Sequence, residues 1–242
     1  MQNQRTASEI AHANAVRSMF SGIASRYDLL NHLLSANIDK RWRRLVRESL
    51  KDVLDDGSAA VLDVACGTGD LSIELRSHSK AAVIGTDFCR PMLGLARSKT
   101  SDLKLNIPYV EADAMQLSFP DQSFDAVTIA FGLRNLANFA DGLAELRRVL
   151  NPGGRLVVLE FSTPRVPGFA ALFNFYFTRV LPRIGGAVSG SRGAYEYLPD
   201  SVSKFPDQKR LAGLIEKTGF KDVSYRNLTG GIAAIHSGTR IN

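Results

Sequence analysis

The apolar run Ala60-Val61-Leu62-Asp63-Val64-Ala65 ends in Gly67-Thr68-Gly69, and Asp70 to Leu75 then reads as a helix. A buried strand turning through glycines into a helix is the repeating unit of layered α/β architectures. The alternation continues down the chain. A second apolar run, Ala81 to Gly85, ends at Asp87, and Pro91 suits the first turn of a helix reaching about Lys99. Short strands are predicted over Ile107–Glu111 and Phe124–Ala130. Phe139, Leu143, Leu146 and Leu150 recur at helical spacing, Asn151-Pro152-Gly153-Gly154 stops that helix, and Leu156–Leu159 is a buried strand. Asp207 caps a helix running to Lys217, Gly219 ends it, and the last strands lie near Val223 and Ile232–Ile235. Few residues connect these two, so a hairpin is expected and one strand runs antiparallel. The pattern predicts an α/β fold with a doubly wound, mostly parallel sheet covered on both sides.

One domain is expected across 1–242. Residues 1–55 read as a helical cap before the first strand. Between 163 and 200 the alternation lapses into an aromatic helix (Phe169, Phe173, Phe175, Tyr176, Phe177) and a glycine-rich loop. This insert suits a helix packed on the core or a lid over an apolar pocket.

Composition narrows the class. Cys66 and Cys89 form no disulfide framework, and His12, His32, His78 and His236 make no metal-ligand pattern, so no metal is expected. The start of the chain lacks a signal-peptide profile. The longest uncharged apolar run, Val166 to Thr178, is short of the roughly 20 residues a membrane span requires. A cytoplasmic protein is expected. The net charge of +6 is concentrated in Lys40, Arg41, Arg43, Arg44 and Arg47 around Trp42. Such a cluster faces water, anionic lipid or phosphates. A nucleic-acid partner is not expected, because Trp42 alone offers a ring for base stacking there.

The glycine turn is neither GxGxxG nor a phosphate-binding loop of the GxxxxGK[ST] kind. Its meaning comes from the acids downstream of it. Asp87 ends the second strand eighteen residues after Gly69, where a carboxylate can accept from both hydroxyls of a ribose. Asp113-Ala114 ends the third run, where an acid or amide reads an adenine amino group. Two acids at successive strand ends after a glycine turn fit S-adenosylmethionine better than NAD, since no pyrophosphate must be held. Asp63, Gly67, Gly69, Asp87, Asp113 and Ala114 are candidate cofactor-binding residues.

Beyond this loop, the chain resembles the ubiquinone/menaquinone biosynthesis C-methyltransferases over nearly its whole length. Tyr27-Asp28-Leu29-Leu30-Asn31 followed by Ser35 and Trp42 is similar to the family's first signature, and Arg148 to Leu156 to its second. Phe131-Gly132-Leu133-Arg134-Asn135, Glu160-Phe161-Ser162, Tyr195-Glu196-Tyr197-Leu198 and Thr229 to His236 also match family segments. Three positions depart: Asn37 stands for the usual glycine, Asn151 for lysine or arginine, and Ala130 for a frequent serine.

The resemblance implies the seven-stranded class I methyltransferase fold, S-adenosylmethionine as cofactor with Thr68, Asp87, Asp113 and Ala114 at the matching positions, and C-methylation of a demethylated quinol with a prenyl tail. A ring carbon becomes nucleophilic when the neighbouring hydroxyl loses its proton, so the site needs a proton acceptor or an oxyanion partner. Arg134 is the expected oxyanion partner, with Asn135 beside it; Tyr27, Asp28, water or, least, His236 is the expected proton acceptor. For Arg134 the alternative is a salt bridge to a neighbouring acid. The prenyl tail implies peripheral contact with a membrane surface through Lys40–Arg47 and residues 166–184. The first signature leans towards demethylmenaquinol, although no residue separates naphthoquinol from benzoquinol on physical grounds. A homo-oligomer is compatible with the sequence and not specified by it. A methyltransferase with another small-molecule acceptor, a nucleic-acid methyltransferase and a non-catalytic scaffold are the competing readings. Steep salt dependence of RNA retention would mark the nucleic-acid enzyme, and failure to bind the donor would mark the scaffold.

Overall fold

A computed structural model describes residues 5–34, 37–162, 164, 179 and 192–241, without the side chains of residues 25–34 and 192–196. Three helices precede the first strand: α1 (Ala7–Leu34), α2 (Ile38–Ser49) and α3 (Lys51–Asp55). The chain continues through β1 (Ala60–Val64), α4 (Asp70–Arg76), β2 (Ala82–Asp87), α5 (Arg90–Asp102), β3 (Tyr109–Glu111) and β4 (Phe124–Ala130). Next come α6 (Phe139–Val149), β5 (Leu150–Phe161), α7 (Arg192–Lys204), α8 (Gln208–Lys217), β6 (Phe220–Leu228) and β7 (Ala233–Arg240). Of the aromatic insert, only residues 164, 179 and those from 192 onward fall within the described part.

The strands form one seven-stranded sheet in the order β3-β2-β1-β4-β5-β7-β6. All neighbours run parallel except β7, which is antiparallel to both β5 and β6. The terminal hairpin expected from Val223 and Ile232–Ile235 is therefore present, with longer strands than the apolar residues alone indicated. The strand expected at Leu156 also begins earlier, since Leu150 already pairs with Phe124 and the Asn151–Gly154 turn bulges out before Arg155 pairs with Ala126. Gly153 makes that bulge with φ 76.

Consecutive strand residues bury on opposite faces, which is why the strands read as unbroken apolar runs. Leu62, Val64, Val127, Ile129, Leu156 and Val158 pack under Leu143, Leu146, Leu211 and Ile215 of α6 and α8. Val61, Val83, Val157 and Leu159 pack on the other side, under Trp42, Val46, Leu54 and Leu71. Burying such residues from water stabilises the fold by about 1.5–3 kcal/mol each.

The basic helix α2 belongs to this second layer. Its Trp42 is 5% exposed, donates from Nε1 to Thr229 Oγ1 at 3.0 Å and meets the Phe161 ring edge-on. Trp42 is a core residue. Arg43 pairs with Asp39 and Asp70, and Arg47 with Glu74, which leaves Lys40, Arg41 and Arg44 as the exposed cations of the cluster. Asn37 opens α2 in the left-handed region at φ 61, a conformation asparagine tolerates better than most residues.

Candidate active site

The parallel order brings the carboxyl ends of β1, β2, β3 and β4 together at one edge of the sheet, and a cavity opens there whose empty space, with its solvent-filled mouth included, is about 740 Å³. In open α/β sheets this edge is where ligands bind. The β1 side of the wall is Ala65 and Gly67, with backbone φ of 52° and 57°. Asp87 ends β2 and lines the cavity at 7% exposure. Its Oδ2 accepts from the Gly67 N–H at 2.9 Å and its Oδ1 from the Cys89 N–H at 2.8 Å. The carboxylate thus holds the glycine turn in place and keeps lone pairs for a further donor. Burial pushes its pKa up from 3.8 to about 6, against the pull of those N–H groups and of Arg17.

Asp113 and Ala114 line the next stretch of wall. The Ala112 N–H donates to the Asp87 carbonyl at 3.1 Å, so the two acids sit on adjoining strand ends. Asp113 Oδ1 accepts from the Met115 N–H at 2.9 Å and Oδ2 from Arg5 Nη1 at 2.8 Å. Between the carboxylates the lining is apolar, with Phe88, Met92, Ala112 and Met115. Helix α1 supplies Ala13 and Phe20 to the same cavity, and the Arg17 guanidinium lies 5.3 Å from the Phe88 ring centre. The part Ala13 and Phe20 play was not legible in the sequence, where the candidates from this helical cap are Tyr27 and Asp28.

The β4 side carries Phe131, Gly132 and Asn135. Phe131 holds φ 56, a strained conformation for an aromatic residue. Gly132 is required by a close approach, because a Cβ there would lie 2.5 Å from the Ala65 Cβ. Asn135 donates from Nδ2 to the Phe131 carbonyl at 3.2 Å and accepts at Oδ1 from the Tyr197 hydroxyl of α7 at 3.1 Å. Its own carbonyl accepts from His12 Nε2 of α1 at 3.1 Å.

Arg134 is placed differently from the oxyanion partner expected of it. It is not among the cavity-lining residues; its Nη1 donates to the Phe131 carbonyl and to Glu160 Oε1 at 3.0 Å, in a pair 6% and 1% exposed. The Arg134 backbone N–H also donates to Glu160 Oε2 at 3.2 Å. Burial pushes the Glu160 carboxyl up, and Arg134 opposes that shift. The geometry makes Arg134 the brace of the Phe131–Asn135 turn, a neighbouring-acid pairing set by the register that puts Ala130 beside Leu159.

Other candidates divide between wall and support. Asp63 is fully buried beneath the turn, where it accepts from Ser72 Oγ at 2.6 Å and Thr128 Oγ1 at 2.9 Å. Thr68 is buried and accepts from Lys99 Nζ at 3.1 Å. Gly69, with φ 82, faces Tyr109: a Cβ there would lie 2.5 Å from its Oη. This glycine serves helix–strand packing, and none of these three lines the cavity. Tyr27 and Asp28 lie on α1, with side chains outside the described residues. His236 sits opposite Val158 within the sheet, donates from Nε2 to the Gln208 carbonyl at 2.9 Å, and is held below the ordinary histidine pKa by burial. It supports α8 and takes no part in the cavity wall.

The model of the ubiE/COQ5 methyltransferase family matches residues 7–240. A demethylmenaquinone methyltransferase of Deinococcus radiodurans is 51% identical over 227 residues, 93% of this chain and 92% of that one. A ubiquinone/menaquinone biosynthesis C-methyltransferase UbiE of Citrifermentans bemidjiense is 48% identical over 229 residues, 93% of this chain and 96% of that one. Among solved structures, a SAM-dependent methyltransferase from Aquifex aeolicus superposes with a TM-score of 0.59 at 20% identity, covering 80% of this chain and 88% of that one.

Proposed function

Because the chain belongs to the ubiE/COQ5 methyltransferase family, we propose that its cavity holds S-adenosylmethionine against a demethylated, prenylated naphthoquinol and directs the methyl group to a ring carbon. Family and fold imply S-adenosylmethionine as the donor. The observation that carries the reading is the pair of carboxylates, Asp87 and Asp113, flanking an apolar slot at adjoining strand ends. That donor set suits a nucleoside: Asp87 accepts from the ribose hydroxyls, Asp113 from the adenine amino group, and Phe88, Met92 and Ala114 cover the purine. Gly67 keeps the turn low beside the ribose. The bound donor supplies a methyl on a sulfonium whose leaving group is a neutral thioether.

The protein's own work is then positioning and charge. Holding a ring carbon in line with the methyl contributes about 7–11 kcal/mol to lowering the barrier. With Oδ1 engaged by Tyr197 and one Nδ2 hydrogen by Phe131, Asn135 keeps one N–H to donate to the ring oxyanion. Arg134 and Glu160 act through that turn as positioning residues. The hydroxyl proton leaves to water, Tyr27 or Asp28.

Offering the purified protein labelled S-adenosylmethionine with each demethylated quinol, and locating the label by mass spectrometry, tests this function. The expected product is the naphthoquinol bearing the label on a ring carbon. Label on oxygen, or none with either quinol, overturns it. Labelling of the benzoquinol alone selects the second reading, supported by the relative named for both pathways.

Donor binding should depend on pH through Asp87. Two hydroxyl donors require the ionised carboxylate, so affinity for S-adenosylhomocysteine is full well above the pKa of about 6 and falls as pH drops through it. About tenfold weaker binding at about pH 5 than at about pH 7.5 is expected by calorimetry, and Asp87→Asn flattens the profile. The stability linkage has the opposite sense. A pKa raised on folding contributes stability below about 4 that is lost as pH rises through about 6.

The acceptor's tail partitions into lipid, so the enzyme is proposed to dock on membranes through Lys40, Arg41 and Arg44, with exposed Ile38 on the same helix. Among the described residues no helix is long and apolar enough to cross a membrane. Each surface cation contributes about 1 kcal/mol on an anionic bilayer. Reversing Lys40, Arg41 and Arg44 to glutamate should abolish flotation with anionic liposomes, whereas unchanged flotation removes this docking face.

A further inference from the structure

We propose that Arg5 is a positioning residue for donor selectivity: it holds the Asp113 carboxylate as a fixed acceptor, so that the site takes an adenine nucleoside and rejects purines with a carbonyl in place of the amino group. This rests on the proposed function, in which Asp113 meets the base.

Arg5 lies 108 residues from Asp113 in sequence, and its Nη1 donates to Asp113 Oδ2 at 2.8 Å. The other oxygen, Oδ1, accepts from the Met115 N–H. One donor on each oxygen fixes the plane of the carboxylate and leaves a lone pair on each for a ligand. The backbone beside Arg5 is itself held. Thr6 and Glu9 exchange hydrogen bonds at the start of α1, with the Thr6 N–H reaching Glu9 Oε2 at 2.8 Å and the Glu9 N–H reaching Thr6 Oγ1 at 3.2 Å. That reciprocal cap anchors the residue next to Arg5, and His12 ties the following turn to the Asn135 carbonyl.

The chemistry comes from the surroundings. Asp113 shares its cavity wall with Ala13, Phe20, Ala112 and Met115, and partial burial in such a wall favours the neutral acid. A neutral carboxyl can donate to a carbonyl oxygen as readily as it accepts from an amino group, and so distinguishes poorly between the two bases. An ionised carboxylate only accepts, and it repels a carbonyl. Burial does push the Asp113 carboxyl up, and the Arg5 hydrogen bond and charge, with Met115 and Arg17, more than offset it.

The test is calorimetric titration of the full chain with S-adenosylhomocysteine and with S-inosylhomocysteine, which carries an oxo group where adenine has its amino group. The wild type should prefer the adenosyl compound. Arg5→Ala should weaken adenosyl binding about tenfold and leave inosyl binding unchanged or stronger, collapsing the ratio. Arg5→Lys should keep most of the ratio, and Arg5→Ala should change nothing further in an Asp113→Ala background. Equal loss of both affinities in Arg5→Ala, with the ratio intact, would reduce Arg5 to a helix anchor and overturn the proposal. A wild type that binds both compounds equally also overturns it while leaving donor binding in place. Binding neither defeats the methyltransferase reading itself.

Discussion

Asp87→Ala weakens S-adenosylhomocysteine binding by a few hundredfold at neutral pH while the protein stays folded. Two hydroxyl-to-carboxylate hydrogen bonds are lost, each contributing about 1.5–2 kcal/mol at the lower end of the range for charged acceptors, and their combined loss of roughly 3–4 kcal/mol converts at about 1.4 kcal/mol per tenfold. The substitution also frees the N–H groups of Gly67 and Cys89, so the glycine turn loses the acceptor that fixes it. Asp87→Asn does not rescue binding. Its amide nitrogen must face one of those two N–H groups, donor against donor, whichever way the group is turned. Calorimetry reports the affinity and circular dichroism the fold. An Asp87→Ala protein binding within threefold of the wild type would remove this carboxylate from the donor site.

The second large effect lies behind the cavity wall. Glu160→Ala leaves the Arg134 guanidinium buried with no counter-charge, a loss of about 3–5 kcal/mol in urea unfolding. Arg134→Met should cost less and become milder as pH falls, because burial already raises the Glu160 pKa and a protonated acid needs no partner. Replacing both with apolar residues should recover only part of the stability: the ion pair itself contributes little more than well-packed apolar side chains, but the Arg134 and Phe161 N–H groups still lose the Glu160 carboxylate as acceptor. Activity should stay low in the double variant, because the Phe131 carbonyl loses the Arg134 donor and keeps only Asn135, so the turn is no longer braced. Full activity in the double variant would mean that the turn keeps its shape without the pair.

The sheet was legible because its central strands are buried on both faces and its helices on one, so that Ala60–Val64 and Phe139–Val149 differ in apolar period. The acids at strand ends were legible for the same reason: Asp87 closes an apolar run, and its place at the sheet edge comes from parallel order. What the spacing could not convey were contacts made by register and by distant segments. Glu160 meets Arg134 only because β4 and β5 pair with Ala130 beside Leu159. Arg5 meets Asp113, and Phe20 the cavity, only because the N-terminal segment lies against strand ends that come far along the chain. Trp42 and Arg43, grouped by sequence with a basic surface, are drawn inward by the Thr229 hydroxyl and by Asp39 and Asp70. Gly69, grouped with the cofactor loop, answers instead to the Tyr109 phenol beneath it.

A crystal structure with S-adenosylhomocysteine asks where the nucleoside sits. The ribose hydroxyls should lie within hydrogen-bond distance of the Asp87 carboxylate and the adenine amino group against Asp113, with the sulfur turned towards Asn135. A nucleoside bound elsewhere, or with its ribose turned away from Asp87, would contradict the assignment of this cavity as the methyl-donor site.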